Sequence, residues 1–201
     1  MGKIGQYIVR LVSRMPTVAG ADELLILCPF LEGLDPSVAM WLGPLAWHDC
    51  NGALLCALPP NPPAIPATVF AGVFCAEPFR AVDEILTPLR AAGIAGIVNL
   101  PSVSFLDGEV AGTLEALKLG VERELRFLEQ ARSSGFRIAC CLRDSAMATI
   151  HARLQPELVI RHAGPIRSLP HEHGLDKAIR CLTLSNLLHP PTSDAMTRRS
   201  R

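Results

Sequence analysis

The chain lacks an excess of either charge. Its 201 residues include 19 lysines and arginines and 19 aspartates and glutamates, so its formal net charge is zero. A strongly basic surface is the usual electrostatic footprint of proteins that bind nucleic acid or anionic lipid, and bulk charge gives no reason to expect either partner here. The low hydrophobicity of disordered chains is also missing, because 49% of the residues are apolar. We therefore expect a folded protein with a sizeable core and with neither nucleic acid nor membrane as a partner.

Paired cysteine motifs are missing as well. The seven cysteines are an odd number and form no C-x-x-C pair, and several, such as Cys28 and Cys140, lie in apolar runs. A reduced thiol in such a run behaves as a small hydrophobic residue, and with no recognisable secretory leader we predict a reducing, cytoplasmic location. The segment 51–76 has no charge, but its prolines exclude a continuous helix of the about 20 residues that a membrane span needs.

Short apolar runs alternate with segments of helical periodicity. The predicted strands are 24–27, 67–74, 94–98, 136–142 and 158–160. The predicted helices are 4–12, 78–93, 114–128 with an interruption allowed at Gly120, 145–153 and 176–188. From Ala67 onward this alternation predicts right-handed crossovers and a parallel sheet. The sheet is either an open doubly wound sheet or a closed (β/α)8 barrel. No G-x-G-x-x-G motif supports a dinucleotide-binding sheet. The tail at 190–201 is predicted to be disordered.

The stretch NLPSVSFLDG, residues 99–108, is unusual for a connection between a strand and a helix. It is less polar than most exposed loops, and it leaves an apolar run through asparagine and proline. From the residues alone it is either the lip of a pocket or a plain connector in which Asp107 makes a local turn hydrogen bond. Both interpretations stay open at this point.

The run AGVFCAEPFRAVDEILTPLRAAGIAGIVNLPSVSFLDG resembles the phosphoenolpyruvate-hydrolase-like TIM-barrel family. The residues that match its pattern are Gly72, Val73, Pro78, Phe79, Gly93, Gly96, Asn99, Pro101, Val103, Asp107 and Gly108. Later positions that fit are Leu114, Glu115, Gly120, Glu124, His162 and Gly164. The resemblance is most specific over 72–120 and extends to about residue 189, so we expect one barrel-like domain over 1–189.

The resemblance implies an α/β fold, a parallel (β/α) barrel of the TIM type. Because only five or six of the eight strands are recognisable and none precedes the predicted helix at 4–12, we expect an incomplete barrel. Exposed strand edges favour association, so a homo-oligomer is expected. The stretch 99–108 would then be a loop at the carboxyl end of a barrel strand, the face on which such barrels place their active sites.

The same resemblance implies a set of site residues. The expected catalytic residues are Asp107, Glu115 and His162. The expected substrate-binding residues are Asn99, Ser102, Gly120 and Arg167. Carboxylates and an imidazole are the groups that acid–base or metal-assisted chemistry needs, so Mg²⁺ is a candidate cofactor whose ligands are unknown. The implied activity is hydrolase or lyase chemistry on a small phosphorylated or carboxylated metabolite.

Two departures from the family pattern support an alternative function. Pro165 occupies a loop in which the family has bare backbone amides suited to an anion, and Cys28-Pro29-Phe30 replaces a polar strand end. These changes favour a catalytically degenerate binding or regulatory module that acts through oligomerisation or through a partner protein.

Overall fold

A single parallel sheet organises the fold in a computed structural model of the chain. The structure describes residues 8–16, 23–34, 42–45, 48–59, 65–142, 152–161 and 180–183. The strands are β1 (Ile8–Val12), β2 (Glu23–Leu27), β3 (Val69–Val73), β4 (Gly96–Asn99), β5 (Arg137–Leu142), β6 (Leu158–Arg161) and β7 (Arg180–Thr183). Each strand pairs in parallel with the next one along the chain, so the sheet order is β1 to β7. This is the order of a TIM barrel, and no ladder joins β1 to β7 within those ranges. The predicted incomplete (β/α) barrel is confirmed.

The helices cover one face of the sheet. They are α1 (Cys50–Cys56), α2 (Val82–Ala91), α3 (Gly108–Ala116) and α4 (Val121–Ser133), with short 3₁₀ turns at η1 (Pro29–Leu31) and η2 (Val103–Phe105). The predicted interruption near Gly120 is confirmed, since α3 ends at Ala116 and α4 begins at Val121. Lys118 adopts a left-handed φ of 59° in the turn between them. Among the described helices, none is both long enough and apolar enough to cross a bilayer.

Alternate residues of the strands β1 to β6 contribute to two separate apolar clusters. In β4, Ile97 packs with α2 and α4 on the outer face, whereas Val98 belongs to the cluster on the inner face. All five residues of β3 are buried, as expected for a strand that is covered on both faces. The core therefore has two layers, one between sheet and helices and one inside the curve of the sheet.

Two segments predicted as helices contain strands instead. Residues 4–12 were expected to be helical, but Ile8–Val12 forms β1 and pairs with β2 from Ile8–Glu23 to Val12–Leu27. Within 176–188, Arg180–Thr183 forms β7 and pairs with β6. A short apolar run has no decisive periodicity, so the neighbouring strand determines its conformation. Within the described ranges the sheet therefore has seven strands, more than the five or six that were expected. The tail at 190–201 and most of the predicted helix at 145–153 lie outside the described residues.

The inner face of the sheet is apolar at the carboxyl ends of β2, β3 and β4. The turns η1 and η2 place Phe30 and Phe105 there, both almost fully buried beside Leu100. Gly72 is required at this position, because an added Cβ would lie 2.5 Å from the Cys28 Sγ and 2.9 Å from the Leu100 carbonyl oxygen. This part of the barrel interior is packed rather than hollow.

Candidate functional site

Asn99, a predicted substrate-binding residue, ends β4 with its side chain on the outer face of the sheet. Its Oδ1 accepts a hydrogen bond from the Cys141 backbone N–H at 2.7 Å, and its Nδ2 donates to the Cys141 carbonyl at 2.8 Å. The backbone register between β4 and β5 extends to the pair Val98–Ala139, so the Asn99 amide continues the pairing beyond it. Both the oxygen and the nitrogen of the Asn99 side-chain amide are therefore hydrogen-bonded within the protein.

A glutamate from α4 joins Asn99 to the loop that follows β4. The Glu124 Oε2 accepts hydrogen bonds from the Asn99 Nδ2 at 2.8 Å and from the Ser102 Oγ at 2.7 Å. Its Oε1 accepts from the Val103 backbone N–H at 2.9 Å. We call Asn99, Ser102, Ser104 and Glu124 the Asn99 network, since the Ser102 Oγ also lies 2.8 Å from the Ser104 Oγ. The network fixes the loop that was predicted to border the site.

Glu124 is fully buried, and burial raises its pKa to about 7. The hydrogen bonds from Ser102, Asn99 and the Val103 N–H oppose this rise, and the nearby Glu115 carboxylate adds to it. In the described part of the chain, no cationic side chain bonds to Glu124. A carboxyl that is removed from water without a cation is more stable in its neutral form, because burial penalises the charge.

Two further predicted residues, Glu115 and Gly120, lie together where α4 begins. The Glu115 Oε1 accepts a hydrogen bond from the Val121 backbone N–H at 3.1 Å, and a carboxylate at a helix N-terminus is favoured by the helix dipole. Gly120 leaves room for this carboxylate, since an added Cβ would lie 2.1 Å from it. Asp107 precedes the opposite end of α3 and is exposed. The structure therefore brings Glu115 to Gly120 but not to Asp107.

A cleft of about 530 Å³ opens beside Glu115 and Gly120, between α2 and α4. Its apolar lining includes Cys75, Ile85 and Phe127. Its charged lining consists of Arg80, Lys118, Arg123, Arg126, Glu77, Glu115 and Glu122. The cleft is at the carboxyl end of β3, so it is on the face where TIM barrels carry their sites.

Not all of these charges are available to a ligand. Arg126 pairs with Glu122 at 3.3 Å. Arg123 donates from Nη2 to the Glu77 backbone carbonyl at 2.7 Å, and no carboxylate pairs with it in the described ranges. Lys118 likewise forms no ion pair there. Among the described residues, the cleft therefore holds two cations without a carboxylate partner, Arg123 and Lys118, and one carboxylate without a cationic partner, Glu115.

A second network lies at the other side of the cleft. The Asn51 Oδ1 accepts from the Phe74 backbone N–H at 3.0 Å, and its Nδ2 donates to the Phe74 carbonyl at 3.0 Å and to the Glu77 Oε2 at 3.4 Å. Arg80 donates to the Glu77 Oε2 at 3.0 Å and forms two hydrogen bonds with Asp49, at 2.8 and 2.6 Å. We call Asn51, Glu77, Arg80 and Asp49 the Asn51 network. It holds the turn after β3 in place.

The region that contains the two networks and the cleft matches a known protein family. The sequence profile of the phosphoenolpyruvate hydrolase-like family matches residues 9–180. The chain belongs to this family. The match covers β1 to β6, the two networks and the cleft, and it confirms the resemblance that the sequence showed.

The chain is also similar to parts of other proteins, two of them much longer than this chain. It is 39% identical over 115 residues to the uncharacterized protein y4oT of Sinorhizobium fredii, which is 57% of this chain and 58% of that protein. It is 30% identical over 126 residues to the ToMV resistance protein Tm-1 of Solanum lycopersicum, which is 61% of this chain and 16% of that protein. A putative transcriptional regulatory protein of Sinorhizobium fredii, y4pA, is 31% identical over 86 residues, 43% of this chain and 14% of that protein. The matched region thus spans less than two thirds of each relative.

The remaining predicted site residues, His162 and Arg167, lie outside the residues that the structure describes. Within the described ranges, no three histidine, cysteine, aspartate or glutamate side chains come together as a metal site. The Mg²⁺ cofactor therefore stays a prediction, as do the roles assigned to Asn99, Ser102, Asp107, Glu115 and Gly120.

Glu124 was not among the predicted catalytic or substrate-binding residues. The signal that could have found it is its position on α4, where Val121, Leu125 and Leu128 mark the face that packs on the sheet. Glu124 lies on that same face by helical spacing, and a carboxylate on an apolar face needs buried partners.

Proposed function

We propose that this member of the phosphoenolpyruvate hydrolase-like family binds a small phosphorylated or carboxylated metabolite in the cleft between α2 and α4 and acts on it as a hydrolase or lyase. The observation that carries the proposal is Arg123, a guanidinium in the cleft with only a backbone carbonyl as its partner among the described residues. A guanidinium is well suited to carboxylate and phosphate groups because its planar fork can form two parallel hydrogen bonds.

Residues around Arg123 extend this binding role to chemistry. Lys118 adds a second cation, and Glu115 is an exposed carboxylate on the same cleft, in a position to exchange a proton with a bound ligand. The other predicted site residues, Asp107, His162 and Arg167, would supply a carboxylate, an imidazole and a guanidinium to the same chemistry. Mg²⁺ would enter with the ligand, because it is commonly bound by one or two carboxylates together with substrate phosphates.

Ligand-dependent stability tests the binding role. We expect the melting temperature of the purified protein to rise with phosphoenolpyruvate, with or without Mg²⁺, because a ligand that binds only the native state stabilises it by mass action. The rise should disappear in Arg123→Ala and persist in Arg90→Ala, a matched arginine at the last turn of α2 whose Nη2 bonds to the Ser134 carbonyl. An equal rise in wild type and Arg123→Ala would show that the cleft is not the binding site.

Turnover tests the chemical role separately. We expect the wild type to release phosphate or pyruvate from phosphoenolpyruvate. We expect this activity to be lost in both Asp107→Ala and Glu115→Ala. If these variants both turn over at the wild-type rate, neither carboxylate is catalytic.

A catalytically degenerate binding module is the second candidate. It is favoured by the packed inner face at Phe30, Leu100 and Phe105, and by the two sheet edges, β1 and β7, which have a neighbour on one side only within the described ranges. Parallel edges present unpaired backbone groups to other chains. A stable oligomer by sedimentation, with neither turnover nor a ligand-dependent melting shift, would replace the enzyme proposal by this one.

A further inference from the structure

A row of hydrogen-bonded oxygens leads from the buried Glu124 to the edge of the loop after β4. The Glu124 Oε2 is 2.7 Å from the Ser102 Oγ, which is 2.8 Å from the Ser104 Oγ. Glu124 and Ser102 are 0% exposed, whereas Ser104 is 7% exposed. Ser104 is thus the outermost member of the row.

Both protonation states of Glu124 can be satisfied without moving a heavy atom. When the carboxyl is ionised, the Ser102 hydroxyl donates to Oε2. When it is neutral, Oε2–H donates to the Ser102 Oγ, and the Ser102 hydroxyl turns to donate to the Ser104 Oγ, since either serine can be the donor in that bond. A hydroxyl has one donor and two acceptor sites, and the Ser102 Oγ also accepts from the Ser104 backbone N–H at 3.1 Å and from the Asn99 Nδ2 at 3.2 Å. When Glu124 donates to it, the exchange therefore requires that the hydroxyls turn and that the Asn99 Nδ2 keeps only its two shorter bonds, to Glu124 and to the Cys141 carbonyl.

We infer that Glu124 is an acid–base group of the strand-end loop and that it exchanges its proton with the loop surface through Ser102 and Ser104. On the way out, the Glu124 proton passes to the Ser102 Oγ, the Ser102 hydroxyl proton passes to the Ser104 Oγ, and the Ser104 hydroxyl proton passes to water or to a basic atom of a ligand. Glu124 is left as a carboxylate, and the reverse sequence restores it. The relay goes beyond anion binding in the cleft and does not depend on it.

The titratable groups around Glu124 are consistent with this role. Those that face it are Glu115 of α3, Cys75 of the turn after β3, and Cys140 and Cys141 of β5. Burial raises the pKa of all three thiols, that of Cys140 to about 12, so they remain neutral. Since Glu115 disfavours a second negative charge and the raised pKa of Glu124 is about 7, both forms of Glu124 are populated near neutral pH.

The experiment follows the carboxyl carbon of Glu124 by NMR in ligand-free protein labelled with ¹³C at the glutamate Cδ. The resonance is assigned by its loss in Glu124→Gln. We expect it to titrate with a midpoint near 7. When the wild-type protein is transferred to D₂O at a pH about two units below that midpoint, deuterium replaces the carboxyl proton of Glu124. We expect the resulting isotope shift of the Glu124 Cδ resonance to be complete within the mixing time.

Variants of Ser104 test the path. In Ser104→Ala we expect exchange at least about tenfold slower, because the proton then has to wait for local opening of the structure. Ser104→Thr, which keeps a hydroxyl, should restore fast exchange, and Ser133→Ala, an exposed serine on α4, should leave it unchanged. Equal exchange in Ser104→Ala and wild type would overturn the relay. So would a Glu124 resonance that stays at the ionised position from acid to neutral pH.

Discussion

Asn51 and Asn99 make the same pair of hydrogen bonds in two neighbouring parts of the fold. Asn51 bridges the backbone N–H and carbonyl of Phe74 after β3, and Asn99 bridges those of Cys141 in β5. Each asparagine also donates to a buried glutamate, Glu77 in the first case and Glu124 in the second. The two networks differ in what accompanies that glutamate.

Among the described residues, Glu77 has a cationic partner and Glu124 has none. Arg80 bonds to Glu77 and carries the network outward to the half-exposed Asp49, whereas Glu124 is surrounded by serines, an amide and neutral thiols. The same backbone bridge therefore supports a fixed ion pair in one place and a carboxyl with a pKa near 7 in the other. The comparison indicates that the absence of a bonded cation among the described residues, rather than the asparagine bridge, accounts for the raised pKa of Glu124.

The largest expected effect comes from removing the bridges. Asn99→Ala should lower the free energy of unfolding by about 4 kcal/mol, because it leaves the buried N–H and carbonyl of Cys141 without the amide that pairs with them and removes one hydrogen bond to the buried Glu124. Asn51→Ala should cost about 2 kcal/mol, since Phe74 is only half-buried and water can replace the amide. Urea unfolding of both variants measures the difference. Equal costs would mean that burial does not distinguish the two networks.

The second expected effect is a pH dependence that comes from Glu124. Its pKa is raised from 4.5 to about 7 by folding, so the native state holds a proton that the unfolded chain releases. The resulting stabilisation is fully present below pH 4.5 and is lost as the pH rises to about 7, a change of about 3 kcal/mol. Unfolding free energies of wild type relative to Glu124→Gln should show this decline. A flat difference between pH 4.5 and 7 would contradict it.

The third effect removes the cation from the Asn51 network. Arg80→Ala should cost about 2 kcal/mol, because the carboxylate of Glu77, which is 8% exposed, loses the charge-assisted hydrogen bond that Arg80 donates to it. Arg126→Ala is the control, since its partner Glu122 is at the surface and such pairs contribute less than about 0.5 kcal/mol. Chemical denaturation of the two variants makes the comparison. Similar losses would show that Glu77 does not depend on Arg80.

The smallest effect is an acid-side pH dependence from Asp49. Hydrogen bonds from Arg80 lower the pKa of Asp49 below 3.8, so its stabilisation is present above that value and is lost as the pH falls further. Because the carboxylate is half-exposed, solvent screening limits the change to less than about 1 kcal/mol. Asp49→Asn should remove it while keeping the cap on the Gly52 N–H. If the unfolding free energy of Asp49→Asn declines toward acid pH as much as that of the wild type, the decline comes from other carboxylates.

The interior of the sheet was predictable from the sequence. The runs at 24–27, 67–74, 94–98, 136–142 and 158–160 all contain strands, because a buried parallel strand is apolar along its whole length and needs no partner to be recognised. The split at Gly120 was predictable for a similar reason, since glycine interrupts a helical stripe. These features are local.

The edges of the sheet and the site were less predictable. The apolar residues of Ile8–Val12 also fit a helical face, and only pairing with β2 makes the segment a strand. Asn99 and Ser102 are three positions apart in the strand-end loop, and their side chains are hydrogen-bonded at 3.2 Å. Their contact with Glu124 depends on how α4 packs against β4, a contact between residues 25 positions apart.

The sequence by itself determined the α/β class, the parallel sheet, the family and the position of the strand-end loop, because these follow from hydrophobic periodicity and from a motif that is continuous in the chain. Only the tertiary structure decided that Ile8–Val12 and Arg180–Thr183 are strands, that Asn99 points to α4, and that Glu124 is buried among described residues that give it no cationic partner. Each of these depends on which distant residues meet, and the charge of a buried carboxyl depends on its neighbours in space rather than on its neighbours in the chain.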